Sequence, residues 1–238
     1  MTATLRMLSY GATADQYAEI CRMGESTTFE CMKKFYQLER LFGEEYLRAP
    51  TLADLRRLLA RGEQRGFPGM LGSISCMHWE WKNCPSGWVG AYSGLEGRPT
   101  IILEVVASYD TWVWHAFFGN SPTVVFHVNG KRYNNDYYLA DEIYPRYSTF
   151  VKTTSNLATQ SRKLFSKKHE SYRKDEERCF GILQYRWAIL RHGARMYKRS
   201  TLRSIMMTGI ILHNMIVEDE FVEDKFVESV EEDLMLVA

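Results

Sequence analysis

The chain has no stretch of about 18 consecutive apolar residues, so it holds no segment suited to cross a bilayer as a helix. Its opening run, MTATLRMLSYGATAD, lacks the apolar core of a secretory signal. No two of the five cysteines (Cys21, Cys31, Cys76, Cys84, Cys179) form a C-x-x-C pair, and their number is odd. A disulfide framework and a zinc finger are thereby excluded as organising devices, and reduced thiols in the cytosol or nucleus are expected. Internal repeats are absent as well, which removes solenoids and arrays.

What is present suits a globular domain. Apolar residues make up 45% of the 238 and charged ones 25%, enough apolar side chains for a core. The net charge of +1 hides an asymmetry: residues 218–238 hold nine acids and one lysine, leaving the preceding body at +9. A basic body suits an anionic partner such as nucleic acid. Residues 218–238 read as a mobile acidic tail.

Residues 1–65 read as a helical segment. Ala14–Met23 and Ser26–Phe42 carry apolar residues at helical spacing on either side of Gly24-Glu25. Thr51-Leu-Ala-Asp54 has the form of a capping box opening a further helix through Leu59. Helices around a glycine turn fit a helix-turn-helix, and equally a plain helical hairpin.

The texture changes at Gly66, where short apolar runs begin. Leu71–Ser75, Thr100–Ala107 and Thr111–Phe118 read as strands, the last two as a hairpin through Ser108-Tyr-Asp110. Asn129-Gly130 is a two-residue hairpin signal between Thr123–Val128 and Lys131–Tyr133. Tyr137–Ala140 and Phe150–Lys152 read as further short strands. Beyond Asn156 the pattern is helical, with one long segment through Glu177 to about Leu190 and another opening at a Thr201 cap. His213 falls inside the apolar stripe of that last helix and reads as a packed core histidine. The division is therefore a helical segment over 1–65, an α/β domain over 66–217 and the acidic tail over 218–238.

Two acids stand out by position. Asp141 directly follows the run Tyr137–Ala140, at a strand exit, and Glu177 precedes Phe180-Gly-Ile-Leu183 on the long helix, with 35 residues between them. A strand-end carboxylate facing a helix carboxylate is one way to hold Mg2+ or Mn2+, which take oxygen ligands and keep several waters. Two such ions about 4 Å apart can activate a water and stabilise the leaving oxygen in phosphodiester cleavage. On spacing alone, the pair is equally a solvated surface.

Longer blocks carry a resemblance. Gly66-Phe-Pro-Gly-Met-Leu-Gly-Ser-Ile-x-Cys-Met-His-Trp-Glu-Trp81, Pro99-Thr-Ile-Ile-Leu-Glu-x-Val-Ala-Ser-Tyr-Asp110 and Trp114-His-Ala-Phe-Phe-Gly119 resemble the nuclease domain of plant PIF/Harbinger transposases. So do Tyr137-Tyr-Leu-Ala-Asp141 with Ile143-Tyr-Pro145, Arg173-Lys-Asp-x-Glu-Arg-x-Phe-Gly181 and Ile211-Leu-His-Asn-Met-Ile-Val-Glu-Asp219. The resemblance covers about residues 12–220. It implies an RNase H-like mixed sheet flanked by helices, a DDE triad binding Mg2+ or Mn2+, and DNA transposition in the nucleus. It also implies DNA and a Myb-like protein as partners. Asp141 matches the second acid of that triad and Glu177 the third, and both would be metal ligands.

Two departures weigh against cutting. The family reads Gly-Ser-Ile-Asp-Cys-Met-His-Trp, and here the Asp position is Ser75. A serine hydroxyl is neutral and cannot bridge two cations as a carboxylate does. A block that the family places after His-Ala-Phe-Phe-Gly is also missing near 119–121, and the chain begins late relative to full-length members. Glu80 lies five residues beyond Ser75, facing the opposite way on a continued strand, and Asp110 sits in a turn, so neither is expected to replace the lost acid. The expected protein is a catalytically impaired, transposase-derived DDE endonuclease. An active nuclease with a substitute ligand and a domesticated, non-enzymatic DNA- or chromatin-associated regulator acting through protein partners are the alternatives. Arg162, Lys163, Lys167, Lys168, Arg173 and Lys174 form the expected phosphate-contacting row, or a merely charged helix face.

Overall fold

The computed structural model describes residues 2–11, 14–94, 97–119, 137–141, 144, 150–153 and 159–236. The Asn129-Gly130 hairpin, its flanking runs, Ile143, Pro145 and the junction beyond Gly119 lie outside them.

Helices α1 (Thr2–Tyr10), α2 (Ala14–Cys21), α3 (Glu25–Phe35), α4 (Leu38–Tyr46) and α5 (Leu52–Gln64) come first. Strand β1 (Met70–Glu80) follows, then the short α6 (Val89–Tyr92), β2 (Thr100–Ala107), β3 (Val113–Gly119), β4 (Tyr137–Ala140) and β5 (Phe150–Lys152). The chain closes with α7 (Gln160–Arg186), α8 (Ala188–Arg191) and α9 (Arg199–Leu236).

The five strands form one mixed sheet in the order β3-β2-β1-β4-β5. β1, β2 and β3 pair antiparallel, whereas β4 pairs parallel to β1 and β5 parallel to β4. The central strands are buried on both sides over much of their length, which is why they read as near-continuous apolar or small-residue runs. The register of β1 against β4 shifts between Met70 and Gly72. Gly72 is required there, because a Cβ would stand 2.4 Å from the Ala107 carbonyl oxygen.

The main core joins Met77, Trp79, Leu103 and Val105 of the sheet to Leu183 of α7 and Ile205 and Ile210 of α9. Met7, Leu8 and Met32 of the N-terminal helices belong to that same core. α5 begins at the expected capping box: Thr51 Oγ1 accepts from the Asp54 N–H at 3.3 Å, and Asp54 Oδ2 accepts from the Thr51 N–H at 2.9 Å.

Several elements differ from expectation. Ser26–Phe42 is two helices, because the buried Tyr36 ends α3 and the Gln37 N–H bonds tightly back to Lys34 O at 3.2 Å. The long helix stops at Arg186, where Trp187 leaves helical geometry so that its indole donates to Gly209 O at 2.9 Å. β1 runs on to Glu80, paired along its length with β2. The final helix starts at Arg199 rather than Thr201, and the acidic tail continues α9 as helix through Leu236.

α9 clamps the β2–β3 turn. Thr111 has φ +66°, a left-handed conformation that a β-branched residue rarely adopts. Its carbonyl accepts from Cys179 Sγ at 3.5 Å and from His213 Nε2 at 2.8 Å. Asn214 completes the hold, accepting from the Val113 N–H at 2.9 Å and donating to Val113 O at 2.8 Å. His213 is fully buried, and burial pushes its imidazole down to about 4. It is the packed core histidine that the stripe predicts.

Candidate functional site

The three positions singled out in the sequence lie on β1, at the exit of β4 and on α7. Ile74 is the register partner of Ala140, so Ser75 and Asp141 follow side by side on adjacent parallel strands. Ser75 alternates onto the same face as Met77, whose sulfur accepts from Gln184 Nε2 of α7 at 3.0 Å. The α7 side of the sheet is therefore the side on which Ser75 and Asp141 meet.

Arg173 of α7 reaches this corner. Its guanidinium lies 3.3 Å from Asp141 Oδ2 and 3.6 Å from Glu170 Oε2, with a side chain only 11% exposed. Glu177 stands one helical turn further along the same flank and is exposed. As the side chains stand, Asp141 has a guanidinium for its counter-charge, and Ser75 contributes no charge at all. Among the described residues no group of three or more His, Cys, Asp or Glu side chains is close enough to hold a metal ion.

Glu176 is the residue that sequence reasoning passed over. It is buried in the sheet-facing stripe of α7, 1% exposed, and neither carboxylate oxygen has a hydrogen-bond partner. Burial pushes its carboxyl well above the ordinary range, against the pull of Arg173. Unpaired buried carboxylates are costly, and such an orphan is an observation that fits a cation better than it fits an apolar core. The signal was legible in principle, as an acid at a core-facing position of a helix otherwise apolar there.

The substitute acids nearest Ser75 in sequence are engaged elsewhere. Glu80, at the far end of β1, has Arg98 3.8 Å away. Asp110 accepts from Arg57, from Ser108 Oγ and from the Trp112 N–H. On the other face of the sheet Glu104 is buried with its Oε2 unpartnered, and burial raises its carboxyl.

The basic row of α7 divides in two. Arg162, Lys163, Lys167, Lys168 and Lys174 are exposed along the helix, whereas Arg173 turns inward to Asp141. Thr159 caps this end of α7, its hydroxyl accepting from the Arg162 N–H at 3.3 Å. Five cationic heads are thus available to phosphates, and the sixth is engaged at the carboxylate corner. No described helix is long and apolar enough to cross a membrane.

A family model described as plant transposon protein matches residues 44–123 and 118–224. The two matched stretches meet at 118–123, beside the junction at which the resemblance places a missing block. No curated protein and no solved structure matches the chain.

Proposed function

The chain belongs to the plant transposon protein family, and from that membership we propose that it descends from a Harbinger-type DDE transposase and no longer cuts DNA. Its mixed sheet, three strands antiparallel and two parallel with helices packed against them, supports the RNase H-like reading. The match in two stretches that meet at 118–123 supports an internal deletion there.

One observation carries the loss of cutting. Beside Asp141 stands Ser75 instead of an acid, and Arg173 neutralises the carboxylate that remains. In the ancestral chemistry Mg2+ or Mn2+ activates a water and stabilises the leaving oxygen. The residues here that would face such an ion are Asp141 and, on α7, Glu177. A neutral hydroxyl at position 75 cannot complete a two-ion clamp. The protein would keep its hold on DNA through the exposed α7 row and would work in the nucleus, with a Myb-like partner reading the DNA site.

The test is Mn2+-dependent nicking of a supercoiled plasmid. Wild type is expected to nick at background rate and Ser75→Asp above it, with Glu177→Ala abolishing the restored activity. Efficient nicking by wild type refutes the reading. A second reading, a non-enzymatic DNA- or chromatin-associated regulator, is favoured by the same Arg173–Asp141 pair, since an acid already neutralised is free of catalytic duty. Recovery of a nuclear protein partner that is retained by Asp141→Ala supports it.

A further inference from the structure

α7 turns one stripe toward the sheet: Phe165, His169, Tyr172, Glu176, Cys179 and Leu183, in alternating steps of four and three residues. The neighbours of Glu176 in that stripe are all accounted for. His169 Nε2 meets Val151 O at 2.8 Å, the Tyr172 hydroxyl donates to Arg65 O at 2.7 Å, and Cys179 donates to Thr111 O. Phe165 and Leu183 pack in apolar clusters. Glu176 alone has both polar atoms buried and unsatisfied.

Its position along the sheet follows from its flanks. Tyr172 packs with Phe67 and Met70 at the start of β1, and Gln184 meets Met77 further along. α7 therefore runs alongside β1 in the same direction, and Glu176 falls over the stretch Ser73–Ser75. Both serines alternate onto the α7 side, and Asp141 stands next to Ser75. Arg173 and Asp141 both act electrostatically on Glu176, as they do on His169, whose Nδ1 is likewise buried without a partner. The polar atoms left unsatisfied thus gather around the corner where the strand acid is missing.

We propose that Glu176 supplies the carboxylate that position 75 has lost, so that Asp141 and Glu176 together hold one divalent cation of the Mg2+ or Mn2+ kind. This rests on the reading of the chain as a transposase descendant and sharpens it: ion binding survives although cutting does not. Two protein carboxylates suffice, because Mg2+ keeps several waters and is commonly held by one or two carboxylates. A serine at 75 leaves room for the longer side chain reaching down from the helix. The cation and the Arg173 guanidinium are alternative counter-charges for Asp141, so ion binding displaces Arg173 from it.

The test is titration of the full chain with Mn2+ alone, without DNA, following free Mn2+ by its paramagnetic resonance. Wild type is expected to bind one Mn2+ at this corner. Glu176→Gln should weaken binding at least ~10-fold, the range seen when even supporting groups of a metal site are removed. Adding Ser75→Asp to that variant should restore it. Circular dichroism checks that each variant folds. Should Glu176→Gln fail to fold, Glu176→Asp, which keeps the charge and withdraws the carboxylate by one methylene, is the second variant, with the same weakening expected. Unchanged affinity in the folded variant overturns the assignment, and so does wild type that takes up no Mn2+. Neither result touches the proposed loss of cutting, which the nicking assay decides separately.

Discussion

Acid should loosen the clamp between α9 and the β2–β3 turn through a single histidine. His213 donates from Nε2 to Thr111 O at 2.8 Å, and its Nδ1 lies 3.1 Å from the Arg186 guanidinium. Both contacts require the neutral imidazole, and protonation would place a cation in the core beside Arg186. Burial holds the folded imidazole at about 4, against 6.5 for the exposed group, while Glu220 and Asp110 pull weakly the other way. Between these values the unfolded chain binds the proton and the folded chain does not. Stability from this group is therefore complete above pH 6.5 and is lost as pH falls toward 4. The full loss is roughly 3 kcal/mol, and the part between pH 7.5 and 5.5 is about 1.4 kcal/mol. Buried Glu104 and Glu176, whose carboxyls are raised, act in the opposite sense, so the comparison must be differential. His213→Gln keeps a donor for Thr111 O and does not titrate. Urea unfolding followed by tryptophan fluorescence should show wild type losing about 1 kcal/mol more than His213→Gln across pH 7.5 to 5.5. Equal losses in the two chains refute the account of His213 as a neutral core clamp.

Other outcomes follow from the fold. Gly72→Ala would drive a methyl to 2.4 Å from Ala107 O, between two central strands, and should cost at least ~2 kcal/mol in urea unfolding. Thr51→Ala removes the α5 capping box and should cost about 1 kcal/mol, with little effect on the sheet-side corner. Replacing Lys163, Lys167 and Lys168 together with alanine should weaken plasmid-fragment binding and lower the slope of log K against log salt by roughly 2 to 3. An unchanged slope would place the DNA contacts elsewhere.

The local pattern of the sequence was sufficient for the strands and for part of the corner. β2, β4 and β5 lie where their apolar runs end, because the turn residues that bound them act within a few positions. The capping box at Thr51 and the burial of His213 were likewise legible, since a cap is a local motif and a helical stripe has a readable period. Asp141 at a strand exit and Ser75 in place of an acid were visible for the same reason. What no local pattern could settle was pairing across the chain. The parallel register of β1 with β4 sets Ser75 beside Asp141, the packing of α7 on β1 turns Arg173 inward to that acid, and the same packing buries Glu176 where its exposed neighbour Glu177 remains in solvent. Residues 176 and 177 are adjacent acids in the sequence, separated by about 100° around a helix. Which of them faces the sheet depends on how the whole helix is seated, and tertiary packing alone decides that.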